Sequence, residues 1–247
     1  MNHKHFKQIL LANNIILRTI TETKIGLKLI VQKEKFILED SVKALNNNKK
    51  IVKVSGKYSI GQYIQEIINI TNQYYLLYVQ ISQFEAFLRT FINHKMVKVY
   101  GNQWHLDGIM SDLDDFQKQD IKRLDKPSKA LNSISFGTLE LVFLNGSRYA
   151  NVFELSIKKN KILTSDGKPK YNNKQQIKAL LSIVRNARND ICHHRRIGES
   201  IKSNSKYNKK NMTRSDVLNA LHDLKILLGY DDTFDVQAID LKYNEFN

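Results

Sequence analysis

The chain has 247 residues, 42% of them hydrophobic, with only 2 Pro, 10 Gly and one Cys, and its 39 Lys and Arg against 24 Asp and Glu give a formal charge of +15 and a pI near 9.7. The lone Cys192 excludes an internal disulfide and a thiolate zinc cluster within one chain, and no apolar run approaches the ~18 residues of a spanning helix. Such a charge draws a polyanion, with nucleic acid ahead of an anionic membrane as the partner class.

The start, Met-Asn-His-Lys-His-Phe, lacks a signal-peptide core, so a soluble, cytoplasmic protein with no membrane partner is expected. Scarce Pro and Gly leave few places where helices must break, and the composition marks no clear domain boundary, so one compact, mainly helical all-α unit is expected. Residues 58–247 are read as its helical domain, with residues 1–57 as an extension packed on that core. Within the extension, Ile9, Leu10, Ile15, Ile16 and Leu17 are compatible with the start of a helix. Residues 50–57 alternate like a strand edge, which predicts short strands there.

From Ser59 to Met96 the apolar residues Ile60, Tyr63, Ile64, Ile67, Tyr74, Leu77, Tyr78, Ile81, Phe84, Leu88 and Phe91 recur at three- and four-residue steps. This predicts one long buried helix, or two in succession, capped at Ser59 and stopped near Gly101. Residues 102–132 are polar and acidic, with Asp112, Asp114, Asp115 and Asp120, and Pro127 predicts short helices and loops. The acidic residues match neither a calcium loop nor a paired-carboxylate site, so they read as a solvated surface and no metal is expected. Tyr100, Trp104 and His105 have the chemistry to stack on bases, although an aromatic cluster after a helix is more often core.

Ser133 to Phe153 predicts two helices meeting at a turn near Gly146. Residues 158–173 predict an exposed basic loop. A last helix is expected to start at a capping-box-like pair, Thr213 and Asp216, to bury Leu218, Leu221, Leu224 and Leu228, and to end at Gly229.

The chemistry is concentrated between residues 175 and 194, which return to helical spacing. With Arg188 at zero on a wheel of about 100° per residue, Cys192 falls near 40°, Arg185 near 60°, Asn189 near 100° and His193 near 140°. Leu180, Ile183, Val184, Ala187 and Ile191 fall between about 220° and 320°, a core-facing stripe. Leu181 lands near 20° on the polar side, where a partner chain is one way to cover it, and His194 near 240°, which favours a structural role. Cutting RNA without metal requires a base for the 2′-hydroxyl proton, an acid for the departing 5′-oxygen and a cation for the phosphorane charge. His193 has the titration range and Arg188 the permanent charge for these tasks, with Asn189 between them to orient the imidazole or hold phosphate. The product would be a 2′,3′-cyclic phosphate, and DNA would not be cut. One chain supplies one such set, so a homodimer sharing a composite cleft is expected.

The string Arg188-Asn-Asp-Ile-Cys-His-His-Arg resembles the HEPN signature, and its Asn and His-His-Arg resemble the Abi-like (abortive infection) branch. Phe84-Glu-Ala-Phe-Leu-Arg, Tyr100-Gly-Asn-Gln-Trp and Ser135-Phe-Gly-Thr-Leu resemble further landmarks of that branch, in the same order, over residues 80–200. The resemblance implies an all-α HEPN-type helical bundle in which two long helices pair and the Arg/His helix lines a dimer cleft. It also implies a metal-independent, cofactor-free endoribonuclease acting as a toxin or phage-defence effector. Arg188 and His193 take the catalytic places and Asn189 the auxiliary polar place, with Arg185 and His194 in support. Glu85, four residues before Arg89, suits an ordinary ion pair, the alternative being that it holds Arg188 in position. An RNA or protein antitoxin is an expected partner. A catalytically silent RNA-binding or adaptor protein of the same fold is the second reading. A helix-turn-helix DNA-binding regulator, the third, explains the charge but not the string.

Overall fold

The computed structural model describes residues 15–16, 35–48, 53, 56–107, 115–122, 124, 126–144, 146–199 and 212–230. The fold is all-α in class: beyond one pair of two-residue strands, every regular element among these residues is helical. The chain forms two compact units that interleave in sequence, residues 1–78 with 190–199, and residues 79–189 with 200–247.

In the first unit β1 (Ile15–Ile16) pairs in parallel with β2 (Tyr58–Ser59). Ile15 and Ile16 are therefore strand residues rather than part of a helix, while Ile9, Leu10 and Leu17, with most of the alternating stretch before Gly56, lie outside the described residues. Helix α1 (Lys35–Asn47) buries Ile37, Leu38, Val42 and Leu45. Against this face pack Ile60, Tyr63 and Ile67 of α2 (Ile60–Tyr100). Full burial of each such side chain contributes about 1.5–3 kcal/mol. The Tyr58 hydroxyl donates to the Leu45 carbonyl at 3.0 Å and the Tyr63 hydroxyl to that of Leu38 at 3.3 Å, so both rings enter the core without orphaned polar atoms. Helix α2 is one element, with no break between two shorter ones. It starts on a reciprocal cap, Ser59 Oγ accepting from the Gln62 amide and Gln62 Oε1 from that of Ser59.

The second unit holds the rest of α2, whose buried residues Ile81, Phe84, Leu88, Ile92 and Met96 keep the three- and four-residue steps. Gly101, at φ 81°, ends it. Short helices follow, α3 (Trp104–Asp107), α4 (Asp115–Lys122) and α5 (Pro127–Ser133), with Pro127 at the first helical turn of α5. Then come α6 (Phe136–Phe143) and a continuous helical stretch made of α7 (Gly146–Tyr149), a π-helical turn (Ala150–Glu154) and α8 (Leu155–Lys159). Trp104 and His105 are core residues, 1% and 2% exposed, with the indole donating to Asn93 at 3.2 Å, so the core reading holds for these two, whereas Tyr100 is 43% exposed. Asp112 and Asp114 lie outside the described residues.

The basic loop after α8 is exposed and folds back on itself, with Leu163 bridged to Pro169. It is anchored through Lys170 and Tyr171 to Asp223. Asp223 belongs to α10 (Arg214–Leu228), which has a complete capping box between Thr213 and Asp216 and ends at left-handed Gly229. Leu221, Leu224 and Leu228 are buried there as expected, while Leu218 is half-buried. Among the described residues no helix is long and apolar enough to cross a membrane.

Candidate functional site

Helix α9 (Lys174–Cys192) carries the candidate residues. Its buried positions in the second unit are Ile177, Leu180, Leu181, Val184 and Ala187. On the wheel these run from about 260° through zero to 20°, so the core side is turned some 40° towards Arg188 from the stripe read off the sequence. Leu181, 1% exposed, is covered by its own chain and needs no partner. Arg188 consequently lies at the edge of the buried arc, with its side chain 38% exposed.

The segments singled out in the sequence meet around it. Glu85 Oε1 stands 2.5 Å from Arg89 Nη2 and Glu85 Oε2 stands 3.7 Å from Arg188 Nε, so one carboxylate serves both guanidinium groups. Arg89 also donates to the carbonyls of Leu131 and Ile134, which ties α2 to the chain just before α6. Asn189 Oδ1 accepts from Arg188 Nη1 at a long 3.5 Å. Arg185 pairs with Glu140 of α6 at 2.9 Å, and the other oxygen of Glu140, a side chain only 4% exposed, accepts from Ser182 at 2.8 Å. Arg185, Arg188 and Asn189 border an open cavity of about 330 Å³, walled also by Asn186 of α9 and by Ser135, Phe136 and Gly137 at the start of α6. Ser135 caps α6 by accepting from the Thr138 amide. A Cβ at Gly137 would meet the Arg185 side chain at 3.7 Å, an ordinary contact, so the glycine widens the cavity rather than relieving a clash.

This rim combines permanent cations with amide donors, a set suited to phosphate oxygens. Glu140, itself fixed by Ser182, holds Arg185, and Glu85 holds Arg188, which limits the entropy lost on engaging an anion.

Histidines 193 and 194 do not continue the helical arc. The helix closes after Cys192 in the first unit, where the His194 amide bonds to the Ile191 carbonyl at 3.1 Å and the Arg195 amide to that of Asp190 at 2.7 Å. These two bonds form a Schellman motif, and its left-handed position is filled by His194 at φ 54° in place of the usual glycine. His193 is exposed in this turn. His194 is also exposed, so it does not lie on the apolar side where the wheel placed it, because the wheel does not extend past the helix end.

Three residues that sequence reasoning missed shape these regions. Asp190 is fully buried and accepts from the Gly198 amide at 2.8 Å, pinning the turn. Its wheel position near 200°, towards the apolar side, was the available signal. Arg196 pairs with Glu39 at 2.9 Å and Asp40 at 3.0 Å, and its hydrogen bond to Glu39 holds that carboxyl below the ordinary range. Glu140 was marked by being an acid in the apolar run from Phe136 to Leu144.

No protein-family model, curated protein or solved structure matches this chain.

Proposed function

We propose that the protein is a metal-independent endoribonuclease of HEPN type, working as a toxin or phage-defence effector on cellular RNA. The observation that carries the reading is Arg188, held by Glu85 on the rim of an open cavity that it shares with Arg185 and two asparagines. In this role Arg188 and Arg185 bind the scissile phosphate and offset the charge that grows on it, while Asn189 orients. His193 enters by its place in the chain, five residues after Arg188, as the group that moves the proton. The 2′-hydroxyl oxygen attacks phosphorus, its proton goes to the base, and the 5′-oxygen leaves with a proton from an acid, giving a 2′,3′-cyclic phosphate and a free 5′-hydroxyl. One chain offers one His193, so two chains facing each other supply the base and the acid. An RNA antitoxin suits the +15 charge as well as a protein one, since one basic surface holds substrate or inhibitor.

The test is to incubate the protein, Arg188→Ala and His193→Ala with structured RNA and with DNA in EDTA at matched salt, and to analyse the product ends. Cleavage of RNA alone, lost in both variants and leaving cyclic phosphate, is the expected result. A requirement for magnesium, or full activity of His193→Ala, overturns the mechanism. Binding by all three without cleavage would establish the silent RNA-binding reading instead.

A further inference from the structure

The first unit carries an aromatic cleft of about 240 Å³ that the proposed chemistry does not use. Phe36 of α1, Tyr74, Tyr75 and Tyr78 of α2, Ile191 and His194 line it. Tyr75 is 62% exposed and Tyr78 37%, unusual for large rings on one helix face, while Phe36 and Tyr74 form a tilted pair with centroids 5.2 Å apart. A second depression, of about 340 Å³, shares Phe36 and His194 with it and adds Lys35, Arg195 and Arg196. Arg196 is occupied by Glu39 and Asp40, whereas Arg195 makes no ion pair with any described residue. His194, shared with Phe36 by both depressions, is the one non-glycine residue with a left-handed backbone among those described, a conformation that carries strain and concentrates at functional positions.

Aromatic faces beside an uncommitted guanidinium are what an unpaired nucleotide requires, a π-surface for the base and a cation for its phosphate. We propose that this cleft binds an unstacked base of single-stranded RNA on Tyr75 and Tyr78, with Arg195 on the adjoining phosphate. It selects looped or single-stranded RNA, because a base in a duplex cannot reach a side-on aromatic face. The inference rests on the reading of RNA as the substrate, and it assigns the cleft to recognition rather than to chemistry.

The test measures binding in a His193→Ala background, so that cleavage does not intervene, using a fluorescent single-stranded 12-nucleotide RNA and its duplex. Tyr75→Ala is expected to weaken single-strand binding by roughly 5- to 100-fold, Tyr75→Phe to leave it within about twofold, and duplex binding to stay unchanged. Arg195→Gln should weaken binding and make it less sensitive to salt. Wild-type affinity of Tyr75→Ala and Arg195→Gln overturns the inference even if the protein cuts RNA. Tyr75-dependent binding by a protein that never cuts RNA supports it while the nuclease reading fails. Conversion of a dimer to a monomer by Tyr75→Ala, read by light scattering, would make this face a contact between copies and overturn it, as would absence of single-strand binding by the His193→Ala protein.

Discussion

Glu85 is the residue through which the site is most sharply tested. Its bond to Arg89, between side chains each 15% exposed, is charge-assisted and short, of a kind that contributes about 1.5–3 kcal/mol. The 3.7 Å contact to Arg188 is longer and screened, and adds about 0.5 kcal/mol at most. Glu85→Gln keeps one carbonyl acceptor for Arg89 but removes the charge, so roughly half of the total is lost. At about 1–2 kcal/mol, and 2–4 °C per kcal/mol for a chain of this size, the melting temperature should fall by about 2–8 °C. Catalysis should suffer more than stability, because Arg188 loses the charge that holds it at the cavity edge and regains rotamer freedom. A fall of about tenfold in single-turnover RNA cleavage, with little change in RNA affinity and partial rescue by Glu85→Asp, is expected. Thermal unfolding and cleavage of a labelled RNA in EDTA read the two effects separately. A less stable but fully active variant would refute the positioning role, and one unchanged in both would refute the whole account of Glu85.

Asp223→Asn should lower stability by about 1–3 kcal/mol, since Asp223 receives both Lys170 and Tyr171 from the basic loop. The hydrogen bond from Lys170 to Asp223 raises the Lys170 pKa above its ordinary 10.5, so this stabilisation is complete below pH 10.5 and fades as pH rises through the higher folded value. Thermal melts across alkaline pH should show that fading in the wild type and not in the variant. Glu39 runs the other way: Arg196 lowers its pKa below 4.5, so its contribution is present above that pH and is lost as pH falls through the lower folded value. Removing the cap in Thr213→Ala should cost about 1 kcal/mol, read as a drop of some 2–4 °C with the activity per folded molecule unchanged. Asp190→Ala leaves the Gly198 amide without its acceptor, and should cost about 1–3 kcal/mol while increasing hydrogen exchange at residues 194–198.

What the sequence made legible follows from which signals are local. The Ser59 start of α2, its Gly101 stop and the Thr213 to Gly229 limits of α10 are set by caps and by left-handed glycines, and their residue types announce them. The tilt of the α9 core arc was not legible, because it depends on what packs against the helix. The carboxylate of Glu85, on α2 and far from Arg188 in sequence, is one example of such a neighbour. The division into two interleaved units is likewise non-local, since it cuts α2 and α9 at positions where helical periodicity continues without a break.

The end of α9 shows how one residue type hides a boundary. Helices α9 and α10 close with the same pair of bonds, Arg195 to Asp190 with His194 to Ile191 in one, and Tyr230 to Lys225 with Gly229 to Ile226 in the other. Gly229 adopts the left-handed conformation without steric penalty, whereas His194 bears a cost of about 1–2 kcal/mol for the same backbone. The buried Asp190, bonded to Gly198, and the Arg196 pairs to α1 fix the turn around it and offset that cost. A glycine at position 194 would have marked the stop and kept the wheel from running through His193. With histidine there the periodic reading overran by two residues, His193 and His194. His193 should therefore be approached as a side chain on a pinned turn, whose reach is governed by Asp190 and Arg196, rather than as one more position on the face of Arg188.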